Sequence, residues 1–342
     1  MASDPPQTRP SNHLSVTMTE PILQVRDLTT RFRTDRGVVT AVDRVSFDVN
    51  AGETLAIVGE SGSGKSVTAL SILGLIPQPP GEIASGEIRF EGKDLLRLKP
   101  AEMRAIRGNR IAMIFQEPMS SMNPALTVGK QIAEPIHIHE HRPWRDAYDE
   151  AVALLAQVQI PEPRSRVQAY PHQFSGGMRQ RAMIAMALAC KPKLIIADEP
   201  TTALDVTVQA QILDLLKTLA QKSGTALILI THDLGVVARY ADRVAVMYGG
   251  RLVEMASAEA LYRHPAHPYT RGLIACVPRL DGDTSQPLVP IDGQPPDLTA
   301  LGQGCAFRPR CKLANETCDQ APPPLREISH QHLNACFLHD AY

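Results

Sequence analysis

The chain has 342 residues, of which 44% are hydrophobic, and its formal net charge is −1. This length fits one large α/β domain plus an appendage, and the hydrophobic share is sufficient for a full core. The near-neutral charge argues against broad nucleic-acid binding, which usually leaves a basic surplus, and without an uninterrupted apolar stretch of about 18 residues no transmembrane helix is expected.

The first 19 residues are polar and contain prolines, and they lack the apolar centre of a secretory signal. We interpret residues 1–19 as a disordered arm, and Met18 is a hypothetical alternative start. The first half of the remaining chain then predicts short strands with alternating or β-branched residues, followed by a buried strand and a helix. The predicted strands are Ile22–Val25, Val39–Val42, Val45–Val49, Thr54–Val58 and Ile88–Phe90, and the helix is Val67–Leu75.

From Pro100 to about Val158 the composition is mostly helical, with an interruption at Glu117–Pro124. Two more buried strands, Leu194–Ala197 and Ala226–Ile230, enclose a helix at Val208–Gln221. Strand–helix alternation of this kind predicts an α/β fold with a parallel sheet. The last 80 residues or so are rich in proline and weakly periodic, which predicts an extension wrapped by loops and not a second large core.

A phosphate-binding loop is predicted at residues 59–66, which read Gly-Glu-Ser-Gly-Ser-Gly-Lys-Ser and fit G-x-x-x-x-G-K-[ST]. The loop lies between a buried strand and a helix, where backbone N–H groups and the positive helix end can face phosphate oxygens. Lys65 would contact the β- and γ-phosphates, and Ser66 would ligate Mg²⁺. The alternative is a Gly/Ser linker that happens to contain a lysine. The nucleotide-binding residues expected here are Gly59, Ser61, Gly62, Ser63, Gly64, Lys65, Ser66 and Val67.

Two carboxylates, Asp198 and Glu199, end the buried strand that begins at Leu194. Asp198 would hold Mg²⁺ directly or through water, and Glu199 would polarise the attacking water as a general base. On its own this pattern could equally be a surface acidic turn. Together with the phosphate loop it predicts the second half of a nucleotide site.

Further motifs resemble those of ABC ATPases and occur in the family's order between residues 20 and 255. Phe174–Met178 resembles the LSGGQ signature, with Phe and Met in place of its first and last residues. Thr231–Asp233 follows a predicted strand, and its His232 resembles the switch histidine of the family. Taken singly, Gln116 could merely cap a strand, His232 could be an ordinary surface histidine and Phe32 could be a core residue. The remaining matches are Gln116 as the Q-loop, Ala203-Leu204-Asp205 as the D-loop, and Phe32 as the aromatic residue stacked on adenine.

The resemblance implies a RecA-like P-loop core with an antiparallel β subdomain and a helical subdomain at about 100–180. It implies a nucleotide-binding domain at 20–258 and an extension at 259–342. Two such ATPases would meet head to tail, so that Ser175, Gly176 and Gly177 of one serve the nucleotide of the other. Gln116 would also approach Mg²⁺ and the membrane subunit, and His232 would help to align the water. Catalytic roles would fall to Glu199, His232 and Gln116, and Asp205 would contribute to nucleotide binding.

The tail resembles the oligopeptide/dipeptide (peptide/nickel) importer ATPases, with the dipeptide-permease D subunits nearest. This resemblance rests on His267–Leu273, on the Cys-rich Gly304–Cys318 segment and on the wording of Gln173–Arg181. On its residues alone, the segment at His267 could be a Pro-bounded surface loop. The family implies a second, different ATPase, two membrane permease subunits and an extracytoplasmic peptide-binding protein, with this chain peripheral at the cytoplasmic face of the inner membrane.

Three other functions are alternatives for such a chain. A soluble ABC ATPase of translation or DNA repair usually carries two cassettes or a long coiled-coil insertion, and neither appears in this sequence. An exporter commonly carries fused membrane helices or lacks a tail of this kind. Related importers also transport nickel or glutathione, and this chain does not touch the substrate. We therefore expect an ATP- and Mg²⁺-dependent ATPase that drives uptake of dipeptides or oligopeptides, with nickel and glutathione as alternatives.

Six cysteines are present, and disulfides are not expected in a cytosolic protein. Cys305, Cys311, Cys318 and Cys336 are separated by five, six and seventeen residues. Four thiolates suit either an iron–sulfur cluster or structural zinc, and free buried thiols are the simpler alternative. Since some related ATPases carry a cluster on this tail, the resemblance favours a structural [4Fe–4S] cluster over Zn²⁺.

Overall fold

The computed structural model describes residues 20–117, 121–201, 205–277 and 290–338. The predicted N-terminal arm, Met18, Ala203 and Leu204 lie outside these ranges. The described strands are β1 (Leu23–Thr34), β2 (Gly37–Val49), β3 (Thr54–Val58), β4 (Gly81–Phe90), β5 (Lys93–Asp94), β6 (Ile111–Ile114), β7 (Leu194–Asp198), β8 (Ala226–Thr231), β9 (Arg243–Tyr248), β10 (Arg251–Ser257), β11 (Arg326–Ser329) and β12 (His332–Asn334).

The α-helices in the same ranges alternate with these strands in the central part of the chain. Short 3₁₀ helices occur at Leu95–Arg97, Pro171–Gln173 and Arg308–Arg310. None of these helices is both long and apolar enough to cross a membrane. The helices are α1 (Lys65–Ile72), α2 (Pro100–Ile106), α3 (Val128–Glu140), α4 (Trp144–Gln157), α5 (Pro163–Arg166), α6 (Gly176–Leu188), α7 (Val206–Ser223), α8 (Leu234–Tyr240), α9 (Ala258–Arg263), α10 (Pro268–Ala275) and α11 (Thr317–Gln320).

The strands form two sheets. The smaller sheet is antiparallel with the order β2-β1-β4-β5, and the larger one has the order β11-β12-β10-β9-β3-β8-β7-β6. Neighbouring strands from β9 to β6 pair in parallel, so the predicted parallel sheet is confirmed at its centre. Every residue of β3, β7 and β8 is buried, which explains why their sequences are continuous apolar runs and do not alternate.

Three features differ from the sequence-based expectations. The two strands predicted at 39–49 are one strand, β2, because Arg44 adopts a positive φ of 50° and the ladder continues past it with a shift in register. Strand β6 lies inside a stretch predicted to be helical, and it joins the large sheet beside β7. Strands β9 and β10 were missed, although the Gly249–Gly250 pair between them has φ values of 56° and 81° and is a hairpin signal.

The C-terminal residues share the core of the cassette and add to its sheet. Strand β12 pairs antiparallel with β10, and β11 pairs with β12. Phe307 packs edge-on against Tyr248 of β9, with ring centroids 5.2 Å apart, and also contacts Tyr269. The prediction of loops alone was therefore wrong for β11 and β12. The apolar cluster that contains Phe307 includes residues from strands β3, β9 and β10 and from helix α8.

Candidate active site

A cleft of about 730 Å³ opens at the carboxyl ends of the central parallel strands. This is the edge where ligands bind in open α/β sheets. Most of its wall consists of residues predicted from the motifs. Ala41 and Leu298 lie outside those motifs, and Glu60 belongs to the predicted loop but was not expected to contact the nucleotide. The lining residues are Phe32, Ala41, Glu60, Ser61, Gly62, Ser63, Gly64, Lys65, Ser66, Val67, Gln116, Glu199, His232 and Leu298.

The backbone of the phosphate loop lies too close to the sheet for side chains at two of its glycines. A Cβ on Gly59 would lie 2.2 Å from the carbonyl oxygen of Met247, and one on Gly64 would lie 2.4 Å from that of Ala41. Gly64 also has φ of 103° at the start of α1. The Ser63 hydroxyl is buried, and no hydrogen-bond partner for it exists within the described residues. The Ser63 hydroxyl is therefore available to form a hydrogen bond with a group bound in the loop.

The Lys65 side chain curls over this loop. Its Nζ donates to the carbonyl oxygens of Gly59 at 2.7 Å and Glu60 at 2.9 Å. Burial lowers the pKa of Lys65, and the nearby carboxylates of Glu199 and Asp198 oppose that shift. A buried ammonium at the start of a helix is well placed to attract the phosphates of a nucleotide.

Ser66, which lines the cleft, contacts Asp198 at the end of β7. Ser66 Oγ donates to Asp198 Oδ1 at 3.0 Å, although the two residues are 132 positions apart in the chain. Burial is the main cause that raises the pKa of Asp198, and Glu199 adds to it, while the Ser66 hydrogen bond and Lys65 lower it. Hydroxyl and carboxylate oxygens are the ligands that Mg²⁺ prefers, so this pair fits the predicted magnesium site.

Glu199 connects two other predicted residues. Its Oε2 accepts a hydrogen bond from Gln116 Nε2 at 3.0 Å, and its Oε1 lies 3.1 Å from His232 Nδ1. The backbone of Glu199 has a positive φ of 44°, and its N–H donates to the carbonyl oxygen of Ile230 on β8. This local conformation turns the carboxylate out of the strand end and into the cleft.

The signature residues lie elsewhere on the surface. Ser175 is exposed and caps α6 by accepting a hydrogen bond from the N–H of Met178 at 3.3 Å. Asp205 is exposed and caps α7 in the same way through Val208 at 3.0 Å. Ser175, Gly176, Gly177 and Asp205 are therefore not brought to the cleft of their own chain. Phe174, the departure at the start of the signature, is buried in the core.

The segment that begins at His267 forms helix α10 and buries His267, Tyr269 and Thr270, so the alternative of a surface loop was wrong. His267 is 2% exposed and Tyr269 is fully buried. The N–H groups of Ala266 and His267 donate to Glu254 of β10 at 2.7 and 2.9 Å. His332 of β12 donates to the same carboxylate at 2.7 Å. This network fastens the C-terminal residues to the cassette sheet.

The four C-terminal cysteines occupy one region of the fold. The N–H of Cys305 donates to the carbonyl oxygen of Cys318 at 2.8 Å. Burial raises the pKa of Cys305 to about 11, and the neighbouring thiols of Cys318 and Cys336 contribute. Within the described ranges, however, no group of three or more His, Cys, Asp or Glu side chains is arranged to hold a metal ion. The predicted metal centre, whether zinc or iron–sulfur, is therefore not supported by this arrangement.

Comparisons with known proteins agree with this geometry. Residues 42–202 match the family model described as ABC transporter, and residues 253–318 match that of the oligopeptide/dipeptide transporter, C-terminal region. The oligopeptide transport ATP-binding protein OppD of Haemophilus influenzae is 52% identical over 93% of this chain and 97% of its own length. The chain belongs to the ABC transporter family. The resemblance drawn from its motifs is thereby confirmed, including the oligopeptide/dipeptide branch.

A second member of this branch, the dipeptide transport ATP-binding protein DppD of Bacillus subtilis, is 52% identical over 94% of this chain and 96% of its own length. Among solved structures, the dimeric ATP-binding cassette MJ0796 in a post-hydrolysis state with ADP and Pi is similar, with a TM-score of 0.61 and 28% identity. It covers 69% of this chain and 98% of its own. The predicted cassette fold is confirmed by this similarity.

Two residues of the C-terminal region reach the site, and the sequence motifs did not predict either of them. Leu298 lines the cleft from the C-terminal region, and Arg310 forms an ion pair with Glu60 of the phosphate loop. The partners in that pair are 250 positions apart. No local pattern signals such a contact, because it depends on how the C-terminal segment folds back over β9.

Proposed function

We propose that this chain is the ATP-hydrolysing subunit of an importer that takes up dipeptides or oligopeptides. The observation that carries the proposal is the cleft in which Lys65, Ser66 and Glu199 meet, in a chain related over nearly its whole length to peptide-transport ATP-binding proteins. ATP hydrolysis is the activity expected of this family. Binding and hydrolysis of ATP would supply the free energy for transport.

Each residue of the cleft has a proposed role. Lys65 binds the β- and γ-phosphates, and Ser66 with Asp198 holds Mg²⁺, which would neutralise phosphate charge. Glu199 is the general base for the attacking water. Its contacts with Gln116 and His232, at 3.0 and 3.1 Å, support the proposal that these two side chains orient the carboxylate. We also propose that both side chains respond to the presence or loss of the γ-phosphate.

The other nucleotide contacts are proposed from their positions. Phe32 and Val67 lie on the wall of the same cleft as the phosphate loop, which supports a role for Phe32 against the adenine ring. Gln116 remains a proposed neighbour of Mg²⁺. Its amide contacts Glu199 in this structure, so an approach to the metal would require it to exchange that contact.

We propose a head-to-tail pair of ATPases in which Ser175 of each chain faces the nucleotide of its partner. The exposed position of Ser175 at the N-terminus of a 13-residue helix supports this, because such a helix end attracts anions. Asp205 would lie at the same interface. The partner ATPase is proposed to be a different chain. The whole assembly would contain two membrane permeases and an extracytoplasmic peptide-binding protein, with this chain at the cytoplasmic face of the membrane.

The domain assignment is also a proposal. Residues 20–258 would form the nucleotide-binding domain and 259–342 the extension. The helical subdomain at about 100–180 would be interrupted by β6, which pairs with β7 in the large sheet. The apolar side chains of α3, α4 and α6 pack in one cluster that continues to β6, β7 and β8, so the proposed helical subdomain would share this core with the large sheet.

A [4Fe–4S] cluster on Cys305, Cys311, Cys318 and Cys336 is proposed as a structural crosslink. Thiolates are the ligands that such clusters use, and the four side chains would have to move together to reach one metal centre, because their described arrangement does not form one. The sulfur of Cys336 accepts a hydrogen bond from the N–H of Leu338 at 3.4 Å. Hydrogen bonds to the ligating sulfurs are one of the features that tune these clusters.

Transport is tested in cells that lack this chain. Uptake of a labelled dipeptide and a labelled pentapeptide should be lost, and should return with the wild-type chain but not with Glu199→Gln. Nickel and glutathione uptake, measured in the same strains, separates the alternative substrates. Normal peptide uptake in the deletion strain, with loss of nickel or glutathione uptake, would contradict the peptide assignment and leave the ATPase assignment intact.

A further inference from the structure

Glu60, the second residue of the phosphate loop, is held by an arginine from the C-terminal region. Arg310 Nη1 lies 2.6 Å from Glu60 Oε2, and Nη2 lies 3.0 Å from Oε1. The pair is thus bidentate, a geometry that only arginine offers to a carboxylate. The side chain of Arg310 is 5% exposed and that of Glu60 is 25% exposed, so water screens this pair less than a surface pair.

The guanidinium of Arg310 is itself fixed on its other sides. Its Nε donates to the carbonyl oxygen of Asp292 at 2.9 Å, and Nη2 donates to that of Ile291 at 3.2 Å. It also lies over the ring of Tyr248 on β9, 5.9 Å from the centroid. Arg310 therefore loses little additional side-chain freedom when it binds Glu60. A fixed charge of this kind exerts more influence on its partner than a mobile surface charge does.

The backbone of Glu60 is engaged as well. Its N–H donates to the hydroxyl of the fully buried Tyr269 at 2.9 Å. Its carbonyl oxygen accepts a hydrogen bond from Lys65 Nζ at 2.9 Å. The C-terminal region thus holds Glu60 at two points, and the phosphate-binding lysine contacts it at a third. A displacement of Glu60 would be transmitted directly to Lys65.

Charge makes this contact matter for nucleotide binding. The Glu60 side chain borders the cleft that contains Lys65 and Ser66. Without Arg310, its carboxylate would be an unpaired negative charge beside the phosphates, and like charges at such distances repel measurably even when partly screened. We propose that Arg310 is a positioning residue for ATP binding, which neutralises Glu60 and fixes the phosphate loop from the C-terminal region. This inference rests on the proposed function.

The test is a double-mutant cycle on the full-length chain in the Glu199→Gln background, which prevents turnover. Mg·ATP affinity is measured by isothermal titration calorimetry. Arg310→Met keeps the apolar stem but removes the charge, and it should weaken binding by roughly tenfold. Combined with Glu60→Gln, which removes the opposing charge, the same replacement should weaken binding by less than about twofold, since little repulsion then remains.

The controls separate charge from folding. Arg308→Ala lies in the same 3₁₀ turn, but Arg308 pairs with Asp319, so it should bind Mg·ATP like the parent. Arg310→Lys retains the charge without the bidentate contact and should lie between the parent and Arg310→Met. If Arg310→Met does not fold, Arg310→Gln, which also removes the charge, decides the question: an affinity equal to that of the parent would refute the proposal.

Other outcomes are also decisive. An equal loss for Arg310→Met with and without Glu60→Gln would mean that Arg310 only stabilises the C-terminal region, which overturns the inference. If Lys65→Ala lost Mg·ATP binding while Arg310→Met bound like the parent, the assignment of the ATP site would stand and the role of Arg310 would be refuted. If Lys65→Ala also bound Mg·ATP normally, the proposed nucleotide site itself would be wrong.

Discussion

Glu199 Oε1 lies 3.1 Å from His232 Nδ1, although the two residues end different strands and are 33 positions apart. The other carboxylate oxygen of Glu199 accepts a hydrogen bond from Gln116. Neighbouring parallel strands β7 and β8 place Glu199 and His232 side by side. The carboxylate is thus oriented from two sides, as a general base requires.

Replacement of Glu199 by Gln should slow ATP hydrolysis by on the order of 10²–10⁴-fold, because a general base is lost. ATP binding should be retained, since the amide has nearly the same shape, and the ATP-bound closed pair should accumulate. Steady-state phosphate release from the purified complex provides the measurement. Near-normal turnover would exclude Glu199 as the base.

Replacement of Lys65 by Ala should act on binding rather than on the chemical step alone. It removes charge-assisted hydrogen bonds to phosphate, so ATP affinity should fall by roughly 10- to 100-fold. Calorimetric titration with ATP measures the effect. Lys222→Ala, at the exposed end of α7, is the matched control and should bind ATP normally. Unchanged affinity in Lys65→Ala would contradict the assignment of the phosphate loop.

Replacement of Ser175 by Ala should damage the site whose phosphate loop belongs to the partner ATPase. The physical reason is that Ser175 lies outside the cleft that contains Lys65, at the N-terminus of α6. Trapping a photoreactive ATP analogue in the assembled pair and locating the labelled chain tests this. A defect confined to the site of Lys65 in the same chain would refute the head-to-tail arrangement.

Purification without oxygen should give a brown protein with about four irons per chain and broad absorption near roughly 400 nm, as iron–sulfur thiolates show. Cys311→Ser should lose the iron, whereas Cys190→Ala and Cys276→Ala should retain it. Iron, acid-labile sulfide and zinc are measured together. One zinc per chain without iron or sulfide would exclude the cluster.

Acid should destabilise the attachment of the C-terminal region through His267. Burial lowers the pKa of His267 from 6.5 to about 4, so the folded protein keeps the ring neutral while the unfolded chain becomes protonated. The free energy of unfolding should therefore decrease as the pH falls from 6.5 towards 4, with a slope approaching about 1.4 kcal/mol per pH unit. Urea unfolding at several pH values measures the slope. His267→Gln should lack this contribution, and a variant with the same slope would show that another group titrates.

The ATP-binding fold could be predicted from the sequence because each motif that indicates it depends on residues close together in the chain. The phosphate loop requires glycines beside a strand and a helix, and the strand β3 is a short apolar run that starts and ends where predicted, at Thr54 and Val58. The strands β9 and β10 carried a Gly-Gly hairpin signal that was overlooked. Strand β6 could not be predicted in this way, because four apolar residues between helices have no period of their own and become a strand by pairing with β7.

The tertiary structure alone decided which distant groups meet. The sequence names Ser66, Asp198 and Glu199, but their distances follow from the order of the parallel strands. Arg310 and Glu60 carry no motif that pairs them, and they meet only because the C-terminal segment packs on β9 through Phe307. Ser175 is part of a nucleotide-binding motif in the sequence, but it lies outside the cleft that contains Lys65. Local patterns fix the chemistry that a residue can perform, and chain topology fixes the partner on which it acts.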